Sequence, residues 1–151
     1  VSLPLEESFV VSVDLAPAIE IGITARGLRR IIPITGGIVT GPRITGRVLA
    51  GGADYQVVRS DGVTELDARY VLETDDGDRV YVQNEGFRVA SPEDVASLLR
   101  GEAVDPARVY FRTTPRFEAA APALQWLTHT IMLCVGERHP ESVHLTFYAV
   151  G

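Results

Sequence analysis

Residues 34–54 read ITGGIVTGPRITGRVLAGGAD, and within them Gly36, Gly41, Gly46 and Gly51 fall five residues apart. Thr-Gly recurs in step, at Thr35-Gly36, Thr40-Gly41 and Thr45-Gly46. Glycine inside a strand weakens it, so repeated strand glycines point to bulges, barrel corners or close approach of another backbone or a ligand. Strand side chains alternate faces residue by residue, so a step of five changes face each time unless a bulge intervenes. The stretch therefore predicts a strand bent hard, with a glycine wall beside a ligand as the alternative. It carries neither GxxxxGK[ST] nor a strand–GxGxxG–helix pattern, so it is not a nucleotide loop.

Outward from this stretch the chain reads as short strands separated by turns. SFVVSVDL (8–15) alternates Phe9, Val11, Val13 and Leu15 against Ser12 and Asp14. Pro17 and Pro33 bracket AIEIGITARGLRRII. RITGRVLA (43–50), DYQVVRS (54–60) and TELDARYVLET (64–74) follow, with Ser60-Asp61-Gly62 as a hairpin turn between the last two. A turn at 74–78 leads to RVYVQNEGFRV (79–89); ARVYFRTTPRF (107–117), LTHTIMLCVG (127–136) and SVHLTFYAV (142–150) complete the set. Strands at roughly ten-residue spacing predict an all-β antiparallel sandwich or barrel. One helix is predicted near 91–100: Ser91 is the N-cap, Pro92 opens the first turn, and Val95, Leu98 and Leu99 form the apolar stripe before Gly101. A helix of about ten residues is about 15 Å long, enough to plug a barrel mouth. A second short helix is expected around 119–125.

The 151 residues, 46% hydrophobic, suit one domain over 1–151 with a sizeable core. A net charge of −6 argues against nucleic-acid or anionic-membrane partners. No apolar run approaches the roughly 20 residues of a membrane span. The acidic start, VSLPLEESFV, is not a secretory signal, and the chain does not begin with Met. These features predict a cytoplasmic protein. The apolar strand TIMLCV and a positive mean hydropathy predict a homo-oligomer. Lysine is absent, which excludes a Schiff-base or P-loop lysine within this chain.

Several side chains are candidates for chemistry. LDARYVL places Leu66, Ala68, Tyr70 and Leu72 on one face and Asp67, Arg69 and Val71 on the other. Asp67 and Arg69 form a surface ion pair or, if that face lines a cavity, Arg69 becomes a fixed cation for a carboxylate, enolate or phenolate. Arg112 shares a face with Tyr110 and Thr114, and Glu118 lies beside Phe117 and near Trp126, where an apolar setting would raise its pKa. Asp54 follows Gly51-Gly52 as a turn cap or as a general base at a barrel rim. His129, His139 and His144 lack metal-ligand spacing, so no metal is expected. Cys134, in IMLCVG, reads as a buried, inert thiol, with a Cys–His pair as the alternative.

Taken together, TGG (35–37), GPR (41–43), GGADYQ (51–56), LDARY (66–70), FRTTPRFE (111–118) and Trp126-Leu127 resemble the DUF3237 family, also called UPF0311. The likeness runs from about Val10 to the C-terminus. It implies a compact antiparallel β-barrel of lipocalin-like or allene-oxide-cyclase-like shape. Family-like positions include Gly36, Gly37, Gly51, Gly52, Asp54, Asp67, Tyr70, Asn84, Arg112, Phe117, Glu118 and Trp126. Many family members carry Asn-Arg after Trp-Leu, where this chain has Thr128-His129.

The expected function is that of a cofactor-free isomerase, cyclase or lyase acting on a small apolar carbonyl or phenolic compound. Asp54 or Glu118 would move the proton and Arg112 or Arg69 would hold the oxyanion. Tyr70, Asn84, Trp126, Gly37 and Gly52 would complete the substrate site. The alternatives are a non-catalytic small-molecule-binding barrel and a structural barrel filled by its own side chains.

Overall fold

The structure is a computed structural model that describes residues 1–151. Its strands are β1 (Leu5–Leu15), β2 (Ile19–Thr24), β3 (Gly27–Thr40), β4 (Gly46–Val48), β5 (Ala53–Val58), β6 (Val63–Thr74), β7 (Arg79–Val89), β8 (Tyr110–Ala119), β9 (Met132–Arg138) and β10 (Ser142–Val150). The helix α1 (Pro92–Leu99) sits between β7 and β8, and 3-10 turns occupy Pro106–Arg108 and Pro122–Thr128. Every strand pairing is antiparallel, and β1 pairs with both β10 and β3, which closes the sheet on itself.

Ten strands make a barrel of eight staves because two staves are broken. β1 and β2 lie end to end along one edge of β3: Leu15 opposes Ile34, and Ile19 opposes Ile31. β4 and β5 lie end to end along its other edge, Arg47 opposite Ile38 and Ala53 opposite Pro33. The glycine-rich stretch thus builds the second half of the bent β3 and the broken stave beside it. Gly37 takes φ +151°, and a Cβ there would collide with the Ser12 carbonyl oxygen of β1. Gly51, at φ +112°, turns the chain between β4 and β5.

The expected strand over 43–50 therefore shrinks to Gly46–Val48. Pro33 does not end β3 either. Its carbonyl accepts from the Ala16 N–H at 3.0 Å, so the edge on which proline lacks a donor faces the break between β1 and β2, where no ladder bond is needed. The helix forms as its signals require, with the Ser91 hydroxyl accepting from the Asp94 N–H at 3.1 Å. The expected second helix is a 3-10 turn shifted to Pro122–Thr128.

The two ends of the lumen are filled differently. At one end Phe9 stacks on Phe147 with ring centroids 4.6 Å apart, and Phe117 tilts against both at 6.0 Å. Leu72, Val80, Val82 and Met132 join the same buried core. The 3-10 turn adds Leu124 and Leu127 to it, beside the 41–45 segment. Toward the other end the inward positions turn polar: Arg30, Gln56, Thr64, Asn84, Arg88 and Thr113 are all buried. α1 lies there, and the Arg30 guanidinium donates to the Leu99 carbonyl at 3.4 Å.

Candidate functional site

Strand register assembles the polar end. Ile32, Asp54, Ala68, Asn84 and Pro115 oppose one another in turn across β3, β5, β6, β7 and β8. Two residues further along β5 and β8, Gln56 and Thr113 face the same way, because strand side chains repeat every second residue. Arg88 stands opposite Phe111. All of these except Pro115, together with Val13, Leu15, Ile34, Leu66, Tyr70, Arg138, Val143 and Leu145, surround a cavity of about 40 Å³. A cavity needs roughly 10–15 Å³ by this measure to hold one water, so there is room for a small polar molecule. A barrel packed solid by its own side chains would leave no such space.

The Asp54 carboxylate accepts from Gln56 Nε2 at 2.9 Å and from the Asp67 backbone N–H at 3.0 Å. Burial raises its pKa above the ordinary 3.8; the bonds from Gln56 and Asp67 and the charge of Arg88 act against that rise. Four other polar atoms on the cavity wall have no partner: Gln56 Oε1, Tyr70 OH, Asn84 Oδ1 and Thr113 Oγ1. Each such buried atom costs about 1–3 kcal/mol of desolvation, and native proteins tolerate few. Four of them lie around one space. Burial holds the Tyr70 phenol far above its ordinary pKa, so it stays a neutral donor.

Three arginines gather toward the mouth. Arg30 bonds Glu20 at 2.7 Å. Arg138 donates to the backbone carbonyls of His139, Pro140 and Ser142. Arg88 is 4% exposed and makes neither a hydrogen bond nor an ion pair. Burial lowers its pKa to about 10, with Arg138 and Arg30 adding to the effect and Asp54 opposing it, so it remains charged at neutral pH.

Of the residues singled out in the sequence, the structure brings Asp54, Tyr70 and Asn84 together on the cavity wall. It places the others elsewhere. Arg112 and Glu118 share the outward face of β8, because Phe111, Thr113, Pro115 and Phe117 take the inward one. Glu118 lines an outer groove with Thr128 and His129. Arg69 points outward and pairs with Asp67 at 3.1 Å, as a surface ion pair. Trp126 packs on the core from the 3-10 turn, with the Arg43 guanidinium 3.9 Å above its ring. Gly37 and Gly52 are points of strand approach: a Cβ on Gly52 would lie 2.7 Å from Tyr70 Cβ, and neither glycine borders the cavity. The Cys134 thiol is buried and pushed up to about 11, so it is protonated and inert at neutral pH.

Gln56, Arg88, Thr113 and Arg138 escaped the sequence reading. The first three carried a signal. Gln56 shares a face with Asp54, Arg88 with Asn84, and Thr113 sits between Phe111 and Phe117 in strict alternation.

Residues 3–150 match the DUF3237 family, described as a protein of unknown function. The chain belongs to the DUF3237 family. It is 47% identical over 137 residues to a UPF0311 protein of Rhodopseudomonas palustris, covering 91% of this chain and 88% of that one. The crystal structure of a conserved protein of unknown function from the same organism is similar at a TM-score of 0.94, with 41% identity over 100% of this chain and 99% of that one. A β-barrel-like protein of Acinetobacter baumannii is similar at 0.87, with 42% identity and coverages of 100% and 98%. An enzyme from Penicillium herquei shares the fold at 0.75 with 19% identity, covering 100% of this chain and 96% of that one. Among these DUF3237 relatives and neighbours, the barrel is the common property.

Proposed function

We propose that this DUF3237 barrel is a cofactor-free acid/base enzyme acting on a small carbonyl or phenolic compound, with Asp54 as the proton carrier. One observation carries the reading. A carboxylate whose pKa is raised by burial faces a cavity whose wall holds four unpartnered polar atoms. Such a carboxylate is a stronger base than an exposed one and is poised nearer neutrality.

In this reading Asp54 takes a proton from the carbon beside a carbonyl. The electron pair moves onto the carbonyl oxygen, where Tyr70 OH or Thr113 OH supplies a donor, and the Arg88 guanidinium adds a positive charge from elsewhere on the cavity wall. Return of the same proton at another carbon completes an isomerisation; loss of a β-substituent would instead complete an elimination. The oxyanion role passes from Arg112 and Arg69 to these cavity-wall groups, because neither of those two arginines lines the cavity. The shared barrel of the Penicillium herquei enzyme agrees with a catalytic use of this fold, by analogy of fold alone.

The test is hydrogen exchange in D2O. Small ketones, enones and phenols are incubated with the protein and followed by NMR for deuterium uptake or double-bond migration. The wild type is expected to label a substrate carbon, and Asp54→Asn to slow this by at least about 100-fold. Absence of exchange across the panel, or exchange that survives Asp54→Asn, overturns the reading in favour of a binding barrel.

A further inference from the structure

Charge and hydrogen-bonding capacity are distributed unevenly along the cavity. At its inner part the unpartnered Gln56 Oε1 and Asn84 Oδ1 are amide oxygens, which accept and cannot donate. The orientation of Gln56 follows from its own bond, since its Nε2 is committed to Asp54 Oδ2 at 2.9 Å. Tyr70 OH and Thr113 Oγ1 can do either. This set calls for a ligand that donates, as a hydroxyl does.

The mouth calls for the opposite. Arg138 and Leu15 border both the cavity and an outer cleft formed by Ala16–Ala18, Glu20, Arg30, Leu98–Gly101, Pro140 and Glu141. The cavity thus approaches the surface on its arginine side. Three guanidinium groups, on Arg30, Arg88 and Arg138, face the buried carboxylate of Asp54 and the exposed one of Glu20, which leaves a formal charge of +1. Of the three, Arg88 is the one whose buried guanidinium makes no hydrogen bond or ion pair, and the opposite charge acting on it is that of Asp54. Other charges on the cleft do not reach it: Arg100 is engaged by Glu102 at 2.6 Å, and Glu141 lies on the exposed rim. Leaving a guanidinium buried and unpaired is costly, and planar, bidentate carboxylate binding is what that group does best. The rest of the cavity wall is largely apolar, from Val13, Ile32, Ile34, Leu66, Phe111 and Leu145.

We propose that the cavity binds a small hydroxylated carboxylic acid, with its carboxylate on Arg88 at the mouth and its hydroxyl among Gln56, Tyr70, Asn84 and Thr113. The assignment rests on the reading of the cavity as a ligand site and specifies the class of molecule. It places the ligand anion on the arginine side and leaves the hydroxyl-bearing carbon toward Asp54.

Two matched trios test it by calorimetric titration of the full chain: 3-hydroxybutyrate, its methyl ester and butyrate; 4-hydroxybenzoate, its methyl ester and benzoate. In at least one trio the hydroxy acid is expected to bind at least tenfold more tightly than both companions. Arg88→Gln should erase the preference for acid over ester, and Thr113→Val should narrow the preference for hydroxy acid over plain acid. An ester that binds as well as its acid, an acid indifferent to Arg88→Gln in a folded variant, or no binding in either trio overturns the proposal. Should Arg88→Gln not fold, the acid-to-ester ratio of the wild type and the Thr113→Val comparison decide it alone. The outcome is separable from that of the catalytic reading. Asp54-dependent exchange on neutral carbonyls with no acid preference sinks this inference only, while acid binding without any exchange sinks the catalytic reading only.

Discussion

The phenylalanine end and the arginine end of this barrel are built on the same staves, a few residues apart, yet they obey different rules. Along β7 the inward positions run from Val80 and Val82 to Asn84 and Arg88. Along β8 they run from Phe117 through Pro115 and Thr113 to Phe111. At the first end each buried group finds apolar neighbours, and burial stabilises. At the second end polar atoms are buried without partners, and burial costs. The difference teaches that the fold is held at one end and tolerates strain at the other, the usual relation between a scaffold and its site.

The comparison breaks first if the phenylalanine end proves dispensable. Phe147 is fully buried and stacked on Phe9 at 4.6 Å. Phe147→Ala is expected to cost about 3–5 kcal/mol in urea denaturation, through lost transfer energy and the cavity left behind. A loss below about 1 kcal/mol would mean that this end repacks freely and does not hold the barrel.

Asp54→Asn tests the opposite end and has the opposite sign. The folded-state pKa of Asp54 is raised above its ordinary 3.8, so the folded state binds the extra proton. Its contribution to stability is complete below 3.8 and is lost as pH rises through the raised folded value. Asparagine does not titrate. Asp54→Asn should therefore match the wild type near pH 3 and exceed it in stability at neutral pH. Thermal melts at a series of pH values read this directly, and a variant less stable than the wild type at neutral pH would show that the carboxylate holds the fold.

Thr113→Val gives a smaller effect. Its hydroxyl is buried with no partner, and valine has nearly its shape. The exchange should be neutral or stabilising by up to about 1 kcal/mol, because an unsatisfied buried hydroxyl is removed. Destabilisation in urea would mean that the hydroxyl is bonded in the unliganded protein and is not held in reserve for a ligand.

How much of this was legible beforehand follows the same division. The phenylalanine end was readable because its strands alternate cleanly: Phe9, Val11 and Val13 face inward as their spacing requires. LDARYVL likewise sorted Leu66, Ala68, Tyr70 and Leu72 from Asp67 and Arg69. The glycine stretch announced an irregular strand, and the β1–β3 register does shift beside Gly36, but sequence alone did not show one long strand flanked by two broken staves. That depends on pairing partners far along the chain. The arginine end was half hidden for a related reason. An arginine on a strand reads as exposed, since most are, and Arg88 lies inward only because β7 keeps its register past Gly86. Conversely Arg112, Glu118 and Trp126 drew attention through their chemistry, while the alternation of Phe111, Thr113 and Phe117 already assigned β8's charged residues to the outer face.

The smallest expected effect probes whether the outer face takes any part in the difference between the ends. Arg69 is exposed and its pKa is raised chiefly by its hydrogen bond and charge pairing with Asp67. Asp67 is the one link inward, since its backbone N–H donates to Asp54 at 3.0 Å. That link is made by the main chain, which the β6 ladder holds in place whatever the Arg69 side chain does. An exposed pair in water is screened and contributes little. Arg69→Gln should therefore leave the urea midpoint and the affinity of any cavity ligand unchanged within error, at low and high salt alike. A fall in ligand affinity without a fall in stability would show that the Asp67–Arg69 pair tunes the position of the Asp54 carboxylate through the backbone, and would extend the site from the lumen to the outer wall of the stave.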